Sequence, residues 1–165
     1  MKEKRGLELS FSMIFSIIVI IAIVAVAFYM IIYLLKLKNC TELGLFTREL
    51  QETVDRAWNA DSSSELFERT LPSFVDKVCV GSLEQGTNAP EYMELRRFIN
   101  EETNLFFYPV PRCDISYKKI EHAQFEGFAC APVKNGKVSL KITKGSYDDL
   151  VFVCRGDASV CGSAS

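Results

Sequence analysis

From Leu9 through Leu35 no residue carries a charge, and no polar face interrupts the apolar residues. As a helix this stretch would be roughly 40 Å long at about 1.5 Å per residue, against a bilayer hydrocarbon core of about 30 Å. A helix apolar on every side over that length has no place in a water-soluble domain of this size, so the pattern predicts a transmembrane helix over 9–35. Tyr29 and Tyr33, followed by Lys36 and Lys38, form the aromatic and basic girdle expected where a helix leaves lipid. Beyond Lys38 the pattern turns amphipathic without breaking. Leu43, Phe46, Leu50, Val54, Ala57 and Trp58 recur mostly at steps of three and four, with Glu42, Arg48, Glu49, Glu52, Asp55 and Arg56 on the other faces. One helix from about Leu7 to Asn59 is predicted, closed by the turn-forming run of Asn59, Asp61, Ser62, Ser63 and Ser64.

Downstream the residues favour strands. Glu65–Leu71 and Phe74–Val80 read as strands separated by Pro72-Ser73, and 81–90 reads as a loop. Pro90 can open a short helix over Glu91–Glu101. The aromatic run in Asn104–Val110 is extended, Ile115–Ile120 is a strand, and Glu121–Gly127 is either loop or strand. Between Ala129–Val133 and Lys137–Thr143 stands Lys134-Asn135-Gly136, which specifies a tight hairpin because Asn and Gly both tolerate positive φ. Val138, Leu140 and Ile142 alternate with Ser139, Lys141 and Thr143, so one face of that arm is buried. Leu150–Cys154 is a last strand. The expected fold is therefore α+β: a long N-terminal helix, half transmembrane and half amphipathic, packed on a small antiparallel sheet. Its segments are 1–8 on the cytoplasmic side, the span at 9–35, an extracytoplasmic domain at 36–154 and a flexible tail at 155–165.

Apolar residues make up 48% of the 165, a total inflated by the span; the remainder suffices for one domain with its own core. Beyond residue 38 there are 14 Lys and Arg against 19 Asp and Glu, an acidic balance that argues against a nucleic-acid partner. A cleaved signal peptide competes with the anchor, since Ala25-Val26-Ala27 has the form of a cleavage site; the apolar run continues through Phe28–Leu35, which favours retention. Basic residues hardly decide orientation, with Lys2, Lys4 and Arg5 before the span and Lys36 and Lys38 after it.

The cysteines break that tie. Cys40, Cys79, Cys113, Cys130, Cys154 and Cys161 all follow the span, and an even number on one side points to an oxidising compartment and disulfides. Six cysteines allow fifteen connectivities. Pairing neighbours gives Cys40 with Cys79, Cys113 with Cys130 and Cys154 with Cys161. Metal binding lacks its pattern: there is no Cys-x-x-Cys, and His122 is the only histidine.

No phosphate loop, nucleophile elbow or calcium loop is present, so neither an enzyme nor a cofactor is expected. His122 reads as an exposed strand or loop residue and Asp148-Asp149 as a solvated turn. Phe106, Phe107 and Tyr108 fit a packed strand better than a ligand groove. Arg155-Gly156-Asp157, bounded by Cys154 and Cys161, resembles integrin-binding loops, in which the two charged groups splay apart. Asn39-Cys40-Thr41 fits a glycosylation acceptor but sits close to the span.

Arg5-Gly6 followed directly by an apolar helix that becomes amphipathic resembles type IV pilin-like proteins. That resemblance implies peptidase cleavage between Gly6 and Leu7, and a mature helix forming the core of a filament. The family's glutamate at the fifth mature position is absent: Phe11 stands there, and the nearest acid is Glu8. The chain is also similar to a set of uncharacterised archaeal single-pass proteins. The shared features are Lys4-Arg5-Gly6-Leu7, a cysteine beyond the span, Trp58-Asn59, Val78-Cys79, the segment from Asn104 to Pro109, and Asn135-Gly136-Lys137-Val138.

The expected function is a non-enzymatic, pilin-like structural or assembly subunit, anchored in the bilayer and able to form a homo-oligomer through its helix. Ser10, Ser12, Ser16, Ala22, Ala25 and Ala27 would permit close helix contacts there. The alternative is an anchored binding module or accessory subunit that holds a ligand or partner with its outer domain.

Overall fold

The computed structural model describes residues 11–84, 89–99, 102–111, 113, 117–158 and 161. The first helix, α1, runs over Phe11–Trp58, and the chain divides within it, between Lys38 and Asn39, into two compact units. In the first unit every described side chain from Met13 to Lys38 is exposed, including Ile23, Phe28 and Tyr29. This helix is long and apolar enough to cross a membrane. Leu7 to Ser10, where the sequence starts the helix, lie outside the described residues.

In the second unit the amphipathic stripe of α1 does what its spacing dictates. Leu43, Phe46, Leu50, Val54 and Ala57 are buried, while Arg48, Glu52 and Arg56 face water. Among the described residues two four-stranded sheets accompany α1, where the pattern led us to expect one. Sheet A has the order β1-β7-β8-β5, built from β1 (Ser63–Thr70), β5 (Ala123–Gln124), β7 (Lys137–Lys144) and β8 (Val151–Arg155). Sheet B has the order β4-β3-β2-β6, from β2 (Lys77–Val80), β3 (Leu105–Tyr108), β4 (Tyr117–Lys118) and β6 (Ala129–Pro132). All pairs are antiparallel except β5 with β8.

The main core lies between α1 and one face of each sheet. Phe46 of α1 meets Phe67 of sheet A and Phe107 of sheet B edge to face, at 5.5 and 5.7 Å between centroids, so one ring joins three elements. Each such buried aromatic contributes about 1.5–3 kcal/mol. Sheet B is buried on both faces. Val78, Val80, Leu105 and Phe107 enter the main core, and the alternate residues Cys79 and Phe106 join Leu83 and Leu95 in a second cluster. Leu95 comes from the short helix α2 (Pro90–Leu95). Phe106 and Phe107, both fully buried, are therefore packed strand residues.

Several boundaries differ from the expected ones. The strand at Phe74–Val80 begins only at Lys77, because a turn at Pro72, closed by the Val75 N–H on the Pro72 carbonyl, occupies the preceding residues. The helix over Glu91–Glu101 ends at Leu95 and continues as a 3-10 turn, Arg96–Phe98, with Phe98 against the Tyr117 ring at 4.6 Å; Glu101 lies outside the described residues.

The largest difference is at the hairpin. The Asn-Gly turn forms, with Asn135 at φ 52° and Gly136 at φ 73°, but its arms part after a single bridge, Lys134 with Lys137. β6 goes to β2 in sheet B, while β7 pairs along its whole length with β1, from Ser63↔Lys144 to Thr70↔Lys137. The eight-residue partner β1 offers more ladder than β6, which has four residues.

Candidate functional site

All six cysteines are in disulfides, and two of the three pairs differ from those reached by joining sequence neighbours. Cys79 and Cys130 face each other in register across β2 and β6, their Cα atoms 3.9 Å apart. Strand pairing thus takes Cys79 away from Cys40. Cys40, on α1, is bonded instead to Cys113, 73 residues on. Cys154 and Cys161 are joined as expected. Asn39-Cys40-Thr41 lies inside α1, with its cysteine committed to that bridge. Gly6 and Leu7, the expected cleavage position, lie outside the described residues.

A cleft opens where the β6–β7 turn meets the end of β8. One wall is the turn itself, held by the Leu71 N–H on the Gly136 carbonyl and the Val133 N–H on the Asp76 carbonyl, both at 2.8 Å. The other wall is Arg155, Gly156 and Asp157. Gly156 donates its N–H to the Ser139 carbonyl at 3.0 Å, and a Cβ at this position would stand 2.2 Å from Ser139 Oγ, so only glycine allows the approach. The Cys154–Cys161 bridge closes the loop behind it, and the Thr143 hydroxyl donates to the Cys161 carbonyl at 3.1 Å. Of the tail, 155–158 and 161 are described, and the rest lies outside.

The cleft has a volume of about 420 Å³ and is lined by Lys134, Lys137, Arg155, Glu68 and Asp157, with Asn135, Ser139 and Gly156, over an apolar floor of Ala131, Pro132 and Val138. Arg155 Nε lies 3.3 Å from Asp157 Oδ1. The two ends of the Arg-Gly-Asp tripeptide are folded onto one another, contrary to the splayed geometry of an integrin-binding loop. The Lys134 and Lys137 ammonium groups and the Glu68 carboxylate have no partner among the described residues. Sequence reasoning passed over these three, although lysines flanking Asn-Gly are visible as such; Glu68 reaches them only through its register with Ser139.

At the end of α1, His122 is half-buried, in place of the exposed residue expected. Its Nδ1 is 3.0 Å from Asp55 Oδ1, and its ring is stacked on that of Trp58. Trp58 is correspondingly no core residue, being 38% exposed. Elsewhere Glu91, in the first turn of α2 and 5% exposed, is ion-paired with Lys77. The hydrogen bond from the Lys77 ammonium holds the Glu91 carboxyl below the usual carboxylate range and, reciprocally, raises Lys77 above the usual lysine value. Among the described residues no group of three or more His, Cys, Asp or Glu is placed to hold a metal ion. No family model matches the chain, and neither a curated protein nor a solved structure matches it.

Proposed function

We propose that this chain is a single-pass membrane protein whose N-terminus is cytoplasmic and whose domain lies outside, and that it serves as a pilin-like structural or assembly subunit. The observation that carries the reading is a single helix, α1, exposed and apolar over its first unit and amphipathic and buried on one face over its second. That is the build of a helix meant to sit among lipid or neighbouring helices at one end and to hold a domain at the other. Three disulfides, all beyond the span, support the outward domain, since they persist in oxidising compartments. Ser16, Ala22, Ala25 and Ala27 leave room for close approach of a second helix, and the resemblance around Arg5-Gly6 adds the expectation of a cut before Leu7.

Intact mass measurement of protein from native membranes, with and without reduction, tests processing and side together. A chain beginning at Leu7 with six oxidised thiols agrees with the proposal; a chain keeping Met1 to Gly6 with free thiols overturns it. Crosslinking in the same membranes tests assembly, and a yield of monomer alone would sink that part.

A further inference from the structure

Lys134 and Lys137 stand directly opposite one another across the Asn135-Gly136 turn and exchange both backbone hydrogen bonds, at 2.8 and 3.0 Å. Such a pair has Cα atoms about 5.5 Å apart and both side chains on one side of the ribbon, where like charges repel. Arg155 enters the same cleft from β8. In a region with 14 basic against 19 acidic residues, three cations around one cleft reverse the local sign. Two carboxylates share it. Asp157 is engaged by Arg155, whereas Glu68 and both ammonium groups are unpaired among the described residues.

We propose that this cleft binds a small monocarboxylate bearing hydrogen-bond donors beside its carboxyl group, the chemistry shared by a uronic acid and an α-amino acid. The ligand carboxylate lies against Lys134, Lys137 and the guanidinium nitrogens of Arg155 that Asp157 leaves open, as charge-assisted hydrogen bonding favours. Its neighbouring hydroxyl or ammonium donors are accepted by Glu68 and Asp157, and its carbon skeleton rests on Ala131 and Pro132. A dianion such as phosphate would meet both carboxylates at close range, and a neutral sugar would leave both ammonium groups unpaired. The volume falls within the range of small-ligand sites. Both walls are fixed in advance, one by the turn's flanking hydrogen bonds and the other by the Gly156 approach and the Cys154–Cys161 bridge, so little ordering remains for binding to supply. The inference goes beyond the assembly reading and does not depend on it.

The test is titration of the full-length, oxidised protein in detergent with D-glucuronate and with L-serine, followed by calorimetry, with acetate, glucose and inorganic phosphate as comparisons. Saturable binding of glucuronate or serine, at least about tenfold tighter than of the three comparison compounds, is expected, and whichever binds names the source. The double variant Lys134→Gln/Lys137→Gln, altered only at exposed positions, should bind at least about tenfold more weakly, and Lys118→Gln on β4 should bind as the parent does. The proposal is overturned by no saturable binding of either compound, by acetate or phosphate binding as tightly, or by undiminished binding in the double variant.

Discussion

The imidazole of His122 lies flat on the indole of Trp58, with ring centroids 3.8 Å apart and planes 2° from parallel. Around this stack the end of α1 is closed on several sides. The Trp58 indole N–H donates to the Asp149 carbonyl at 3.1 Å, and the Lys144 ammonium donates to the carbonyls of Trp58 and Ala60 at 2.6 and 2.9 Å. A cation on the last carbonyls of a helix also complements its dipole. His122 holds φ at 59°, a left-handed conformation unfavourable for a side chain.

His122→Ala should therefore lose the stack and the Asp55 contact while keeping the backbone cost, a loss of about 1–2 kcal/mol. His122→Gly should recover about 1 kcal/mol of it, since glycine adopts positive φ freely. Chemical denaturation of the full-length chain in detergent checks both; equal stability of the two variants would refute the backbone part.

Gly81 and Gly136 are expected to respond differently to alanine. At Gly81, φ is 116° and a Cβ would stand 1.8 Å from the Gly127 carbonyl oxygen, a backbone atom that cannot turn away. Gly81→Ala should cost more than about 4 kcal/mol and leave little protease-resistant protein. At Gly136, no atom of the described residues lies within 4 Å of the added carbon, and the φ of 73° is the unfavourable feature, so Gly136→Ala should cost about 1–2 kcal/mol.

The Lys77–Glu91 pair sets a pH dependence whose sign follows from the shifts. Glu91 has its folded value lowered, so its stabilisation is complete above the ordinary value of 4.5 and is lost as pH falls through the lower folded value. Lys77 has its folded value raised, so its stabilisation is complete below 10.5 and is lost as pH rises through the higher folded value. Denaturation midpoints of Glu91→Gln, measured on both sides of 4.5, should fall less steeply in acid than those of the parent. Parallel curves would refute the assignment.

Non-reducing peptide mapping should recover Cys40 with Cys113 and Cys79 with Cys130. Treated as loop-closure entropy, the Cys40–Cys113 bridge, with a separation of 73, stabilises by about 4 kcal/mol. The Cys154–Cys161 bridge, with a separation of 7, contributes about 2 kcal/mol. The double serine variant at Cys40 and Cys113 should lose more thermal stability than the one at Cys154 and Cys161; the opposite ranking would refute it.

What the sequence disclosed was what neighbouring residues decide among themselves. The stripe from Leu43 to Ala57 and the turn at Asn135-Gly136 were legible because helix period and positive φ are local properties. The fate of the turn's arms was not, because β1, distant in sequence, competes for β7. For the same reason Cys79 could not be matched to Cys130, nor Asp55 to His122, which lie 51 and 67 residues apart. Within the cleft, Lys134 and Lys137 were in plain view, while Glu68 and Arg155 arrive there only through strand register.

The two sheets draw their strands alternately from the chain: β1 for one, β2 to β4 for the other, then β5, β6, and finally β7 and β8. A growing chain therefore has α1 made while its inner face of Leu43, Phe46, Leu50 and Val54 still lacks the strands that will cover it. β1 must wait for β7, its neighbour in sheet A, before it has a ladder, and sheet B lacks one edge until β6 is made. Contacts so distant in sequence form slowly. During synthesis that apolar face of α1 stays uncovered until its strands are made. β7 and β8, which follow the other described strands in the chain, supply the Val138, Leu140, Ile142, Val151 and Val153 that finally cover it.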